Sequence, residues 1–307
     1  MHTLDECRTT PATLALMSAK SLGAQIKALP DGTFPTRHED ISGIRPLARK
    51  HILARTLSSV VGQEVVPPAR PLLEAAGGYG LSSGGCDIAA SSQQLGLDLC
   101  PDECQAETDI SNAHSTCCRL NSTRIIISIQ HPAFARLARY IGQHYRNPTF
   151  TFMHVENQIL CVITTDGWDQ GDGAATAGFD IPFTLGCALP TARRHLGTSF
   201  SLIHDDTNLR ARHPILGQAM TTFYSLVRDL LRLTPNLPKG KVYVPPHLRG
   251  TDLDPSRHPE HYPPGTKFWP RAGDPSTLGY WKGGQPVSAD MTGPQPCAPP
   301  PPSTPLP

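Results

Sequence analysis

The run His204-Asp205-Asp206 closes an alternating segment in which Phe200, Leu202 and His204 interleave with Ser199, Ser201 and Ile203. Alternation of that kind predicts a strand, and strand ends are places where catalytic side chains are held out to substrate. With Asp166 and His154, this trio has the donors for a metal-dependent or general acid/base site. Asp166, Asp169 and Asp172 recur every third residue among glycines, an oxygen-rich pattern that suits hard cations but lacks the ligand order and terminal Glu of an EF-hand loop. Cys100-x3-Cys104 and Cys117, with His114 or Cys86 as a fourth donor, offer a zinc set without the tight Cys-x2-Cys knuckles of structural zinc sites. The reading adopted for these cysteines is unliganded thiols, with no metal and no cofactor. No nucleophile elbow, HExxH, phosphate-binding Gly-x-x-x-x-Gly-Lys or GxGxxG is present. An enzyme using His204, Asp205, Asp206 and Asp166 therefore stands as the alternative reading, with a non-enzymatic protein in first place.

The elements that would position these groups centre on residues 119–234. Arg124–Ile129 is short, apolar and rich in β-branched residues, which predicts a buried strand. Pro132–Tyr145 places Phe134, Leu137, Ala138 and Ile141 on one helical face. Thr149–Val155 and Gln158–Thr164, separated by Glu156-Asn157, have the spacing of a hairpin. Phe179–Leu185 reads as a further strand. Pro214–Thr234 carries the longest apolar stripe, Ile215, Ala219, Phe223, Leu226, Leu230 and Leu233, and reads as a helix lying across the sheet. The expected fold class is α+β: a mixed or antiparallel sheet with two packed helices, flanked by a flexible insert and a Pro-rich tail.

Upstream, residues 1–74 read as a helical arm, with helices over 12–29 and 44–61; Arg45, Arg49, Lys50 and Arg55 make the second one basic. Pro67, Pro68 and Pro71 read as its end. Residues 75–118 are small, polar and acidic, which predicts a flexible insert with little core of its own. Residues 235–307 hold 19 of the 32 prolines and almost no periodic apolar pattern, which predicts an extended, disordered tail. A net charge of +1 gives no overall attraction to nucleic acid or membrane, so any such attraction must be local. No signal peptide or membrane-spanning run is visible, and the expected location is cytoplasmic.

The tail contains Lys241-Val242-Tyr243-Val244-Pro245-Pro246-His247-Leu248-Arg249-Gly250. This string resembles an N-terminal element of DEAD-box RNA helicases, and also the tails of some fungal proteins. The helicase motifs themselves are absent. In those helicases the element is associated with the cap-binding translation initiation factor. The resemblance therefore implies a docking motif, with Tyr243 and Leu248 as anchors, Pro245 and Pro246 as preorganising residues, and Arg249 at the rim. Trp269 and Trp281, with Lys267 and Arg271, are aromatic and basic groups in an otherwise Pro-rich segment, the combination that stacks on and neutralises single-stranded RNA. The leading expectation is thus an interaction protein whose tail recruits translation or RNA-handling machinery.

Overall fold

A computed structural model describes residues 52–146, 148–155, 158–169 and 171–269, together with strand segments 20–26, 44–50, 280–282 and 285–287. Two compact units are present, Met1–Trp269 and Pro270–Pro307. The second contains a small antiparallel pair, Tyr280–Lys282 with Gln285–Val287.

The first unit is α+β, as expected. Its elements in chain order begin with β1 (Lys20–Ile26), β2 (Ile44–Lys50), α1 (Ile52–Glu74) and α2 (Gly85–Leu99). Next come β3 (Cys104–Thr108), β4 (Ile110–Ser111), α3 (Ala113–Thr116), α4 (Arg119–Ser128) and α5 (Pro132–His144). The hairpin β5 (Thr149–Val155) and β6 (Gln158–Thr164) precedes α6 (Ala175–Phe183), a π-turn over Thr184–Ala188 and α7 (Leu189–Arg194). A second hairpin, β7 (Ser199–Ile203) and β8 (Asp206–Ala211), leads into α8 (Ile215–Leu231). The unit ends with β9 (Thr234–Pro235), β10 (Lys241–Tyr243) and β11 (Lys267–Trp269).

Two sheets result. One has the order β2-β1-β5-β6, with β1 parallel to β5 and the other pairs antiparallel. The other has the order β11-β10-β3-β8-β7, antiparallel except for the β10–β11 pair. Its two faces follow from strand parity. Cys104, Ala106, Leu209, Ala211, Phe200 and Leu202 are buried on one face. They meet α8, where Phe223 packs its ring against Phe200 and Phe183 at 5.4 and 5.6 Å. Gln105, Asn208, Arg210 and Ser201 line the opposite, polar face. There Gln105 bonds Gln93, and Ser201 bonds the Ala89 carbonyl, of α2.

Several expectations are corrected. Arg124–Ile129 is largely helical: it forms the second half of α4, whose buried side is Arg119, Ser122 and Ile126. Phe179–Leu185 is helix and π-turn, since Phe179, Ile181 and Phe183 are all buried among other helices and need no sheet partner. Within 12–29 the described residues are strand β1, and Ile44–Lys50 is strand β2. Pro67, Pro68 and Pro71 lie inside α1, whose apolar contacts through Val61, Val65, Ala69 and Leu73 hold the helix across them. Residues 75–118 carry α2, β3, β4 and α3 rather than a flexible insert, and β3 is the middle strand of its sheet. Residues 235–262, expected to be disordered tail, are packed into the first unit: Val242, Val244, Leu248 and Tyr262 are buried in its core. The helices over 132–144 and 215–231, the 149–164 hairpin and the 199–203 strand are found where the periodicity placed them. Among the described residues no helix is long and apolar enough to cross a membrane.

Candidate active site

The β7–β8 hairpin turns in two residues, His204 and Asp205, because Ile203 pairs with Asp206. His204 has φ +54°, the left-handed conformation that a tight turn of this kind requires and that His accepts more readily than most residues. The turn therefore presents Asp205 and Asp206 at the end of the sheet. On the neighbouring strand Thr108 pairs with Thr207, so Asp109 follows directly beside Asp206 on the polar face. Glu107, two residues before Asp109, shares that face.

These carboxylates sense one another. Desolvation, then the charges of Asp205 and Asp109, raise Asp206 above the usual carboxylate range. Glu107 is raised too, by desolvation and then by Asp206 and Asp109, against the opposing pull of Lys241. Lys239 supplies local compensation: its Nζ lies 3.1 Å from Asp109 Oδ2, which also accepts a 2.7 Å bond from Asn236 Nδ2. The Asn236 backbone N–H donates to the Asp109 carbonyl at 2.8 Å, so the turn after α8 is fastened to the strand end that carries Asp109.

Behind the turn, His204 Nδ1 lies 3.0 and 3.1 Å from the two carboxylate oxygens of Asp180, a buried residue of α6. The bond to Asp180 raises the His204 pKa. His114, five residues beyond Asp109, stacks on Phe179 at 4.4 Å and meets the His204 ring edge-on at 6.0 Å. Burial pushes its pKa below the ordinary value.

The glycine-rich loop before α6 is anchored by a buried polar network. Asp172 Oδ2 accepts from the hydroxyls of Tyr140 and Tyr145, each at 2.7 Å, while its Oδ1 accepts from Ala174 N at 2.8 Å. Arg119 is buried, donates to the Gly167 carbonyl at 2.6 Å and lies over the Tyr145 ring. Gly167 N and Trp168 N donate to the carbonyls of Cys117 and His114, which ties this loop to α3, the segment just after Asp109.

Of the residues expected to act, His204, Asp205 and Asp206 are gathered in one turn. Asp166 sits instead on the loop beside Arg119 and Cys117 and is replaced at the turn by Asp109. Asp169 and Asp172 serve the buried network rather than a cation. The side chain of His154 is outside the described set. Cys104 lies buried in β3 and Cys117 buried after α3; burial pushes these thiols up to about 12 and about 11, away from thiolate character. Cys100 ends α2 and His114 stacks on Phe179, and among the described residues no three His, Cys, Asp or Glu side chains are arranged to hold a metal ion. Tyr243 lies half-buried in β10, Pro245 and Leu248 are buried, and Pro246 and Arg249 are at the surface, where Arg249 Nε donates to the Val244 carbonyl at 3.3 Å. With Leu248 in the core, the two anchors of the helicase-like string are not both free to meet a partner. Lys267 and Trp269 belong to β11, Trp281 to the strand pair of the second unit, and Arg271 falls outside the described residues.

No protein-family model and no curated protein matches the sequence. Solved structures do match. The telomerase of Candida albicans, bound to a fragment of telomeric RNA, aligns with 80% of this chain at TM-score 0.51 and 9% identity. The telomerase of Candida tropicalis, likewise with telomeric RNA, aligns with 73% at TM-score 0.51 and 10% identity. An insertion-loop deletion mutant of a human picobirnavirus RNA-dependent RNA polymerase aligns with 73% at TM-score 0.52 and 16% identity. The likeness is one of fold, shared with telomerase and a viral RNA polymerase. This chain spans 44%, 40% and 42% of the respective chains, less than half of each.

Proposed function

We propose that this chain is the catalytic portion of an RNA-templated nucleotidyl transferase, with Asp109, Asp205 and Asp206 as its metal-binding carboxylates. The observation that carries this reading is the placement of Asp109, the residue after β3, beside Asp206 at the start of β8, in a fold shared with telomerase and a viral RNA-dependent RNA polymerase.

The donor chemistry suits the cofactor such a reaction needs, but among the described residues no three such side chains are already arranged to hold a metal ion, so binding must draw Asp109, Asp205 and Asp206 together. All three groups are carboxylates, the ligands preferred by Mg²⁺. Asp206 is raised first by burial and then by the charges of Asp205 and Asp109, and a bound divalent cation would relieve that second part. Magnesium, when bound, acidifies the attacking hydroxyl and neutralises the triphosphate in an in-line displacement. The chain's own residues do the rest. Asp205 is presented on the two-residue turn and Asp206 on the first residue of β8, and Asp109 is braced by Asn236 and Lys239. Lys239 also keeps a cation beside these carboxylates, a charge that a triphosphate can pair with. The proposed protein is thus a metal-dependent enzyme with Asp109 in place of Asp166 and RNA as its partner.

The test is template-directed incorporation. Purified chain, a primed RNA template, nucleoside triphosphates and Mg²⁺ should yield extended primer with wild type and none with Asp205→Asn. Incorporation confined to deoxynucleotides would move the reading toward the telomerase-like side.

A further inference from the structure

We propose that Asp180 is a positioning residue: its buried carboxylate grips His204 and so fixes where Asp205 and Asp206 stand relative to Asp109. This inference rests on the nucleotidyl-transferase reading of those three carboxylates.

The geometry is specific. Asp180 is 3% exposed and aims both oxygens at His204 Nδ1, at 3.0 and 3.1 Å. His204 immediately precedes Asp205, so holding its ring holds the turn. A side chain at a left-handed φ that is fastened to a buried carboxylate can hold only one orientation of the tip. The same contact joins three parts of the chain. Asp180 belongs to α6, His204 to the β7–β8 turn, and His114, stacked on Phe179 beside Asp180, lies on the segment that follows Asp109. A fourth part closes over them. The Gly77–Gly80 segment runs along β7, with Tyr79 N donating to the Leu202 carbonyl and Leu202 N to the Gly77 carbonyl, both at 2.8 Å. It brings Gly80 so near that a Cβ there would stand 2.5 Å from Asp180 Oδ2 and 2.8 Å from His204 Nδ1. Any side chain there requires the pair to shift.

Three variants of the full chain separate this role from its rivals. His204→Ala removes the gripped group. Gly80→Ala leaves every polar group in place but wedges a methyl between the partners. His204→Asn restores the contact, because its Nδ2 overlays the imidazole Nδ1 and Asn tolerates positive φ. The readouts are amide hydrogen exchange at 205–207, with α8 as internal reference, and Mn²⁺ affinity by electron paramagnetic resonance. The expected result is at least tenfold faster exchange at the turn and at least tenfold weaker Mn²⁺ binding in His204→Ala and Gly80→Ala, unchanged exchange in α8, and near wild-type behaviour of His204→Asn. Unchanged exchange at the turn in both disruptive variants overturns the inference. So does failure of His204→Asn to rescue, which would assign the ring a direct role. Primer extension by wild type in the same preparations keeps the two claims apart. Altered exchange without any RNA synthesis would remove the nucleotidyl-transferase reading and leave the grip standing; synthesis with unaltered exchange would do the reverse.

Discussion

Replacing Asp172 by Ala tests the scaffold behind the site at its most concentrated point. Two buried phenols, Tyr140 and Tyr145, donate to one oxygen of Asp172 at 2.7 Å, and the Ala174 N–H donates to the other at 2.8 Å. Burial and the Asp172 charge both push the two tyrosine pKa values up, so the phenols are protonated donors at any working pH. A buried donor left without its acceptor costs about 1–3 kcal/mol. Two such donors give about 2–6 kcal/mol, and relief from burying a carboxylate offsets part of that. The expected loss is therefore about 2–4 kcal/mol for Asp172→Ala and roughly half that for Asp172→Asn, which keeps a carbonyl acceptor. Urea unfolding followed by circular dichroism measures it. A second arm sharpens the test: once Tyr140 and Tyr145 are both Phe, Asp172→Ala should cost far less, because the stranded donors are gone. A loss under about 0.5 kcal/mol, or strict additivity with the Tyr→Phe changes, would refute the network as the anchor of this loop.

Phe223→Ala should cost about 3–5 kcal/mol in the same unfolding assay, since its ring is fully buried between Phe183 and Phe200. The His114 and His213 contributions to stability should fall as pH drops from 7 to 5.5, against an opposite contribution from His204, which Asp180 holds above its ordinary value. Burial holds His114 and His213 below their ordinary value, so the unfolded chain takes up more protons; their contribution is complete above the unfolded pKa and is lost as pH falls through the folded values. The urea midpoint across that range checks this, and His213→Gln should flatten the acid limb. Limited trypsin digestion should spare Arg228, Arg232, Lys239 and Lys241 and leave a resistant fragment extending beyond Leu248. Rapid cutting at 239–241 would contradict the packing of Val242 and Leu248 in the core.

The hairpins and amphipathic helices were legible because one face of each is buried and the other is not. Phe134, Leu137 and Ile141 mark α5; on α8 the expected stripe shares Ala219 and Phe223 with the buried side, which Leu216 and Val227 complete, while Ile215, Leu226 and Leu230 lie partly buried at its edge. Elements buried on several sides lose that signal. Ile125, Ile126 and Ile127 look like a strand, yet α4 is helical, with Ile126 fully buried while Ile127 faces outward. The stretch Phe179–Phe183 is apolar all round because helices surround it. Asp109 was missed for a different reason. The acidic, Gly- and Ser-rich composition of 75–118 suggested a flexible segment. That hid the alternation of Cys104, Ala106 and Thr108, which gives β3 its buried face and Asp109 its place on the other. His204-Asp205-Asp206 was legible as a triplet after a strand. The partnership with Asp109, about a hundred residues earlier, exists only through the β3–β8 pairing. The contact of His204 with the buried Asp180 left no local pattern, because the two lie 24 residues apart.

The most direct measurement of the central claim is primer extension on an RNA template by the purified full chain, with Mg²⁺ and labelled nucleoside triphosphates. Wild type should extend the primer, and omission of the divalent cation should stop it. Asp109→Asn, Asp205→Asn and Asp206→Asn should each lower incorporation at least a hundredfold while keeping wild-type circular dichroism. Extension that survives all three substitutions, or a wild type that incorporates no nucleotide with either Mg²⁺ or Mn²⁺, would contradict the assignment of these carboxylates to nucleotidyl transfer.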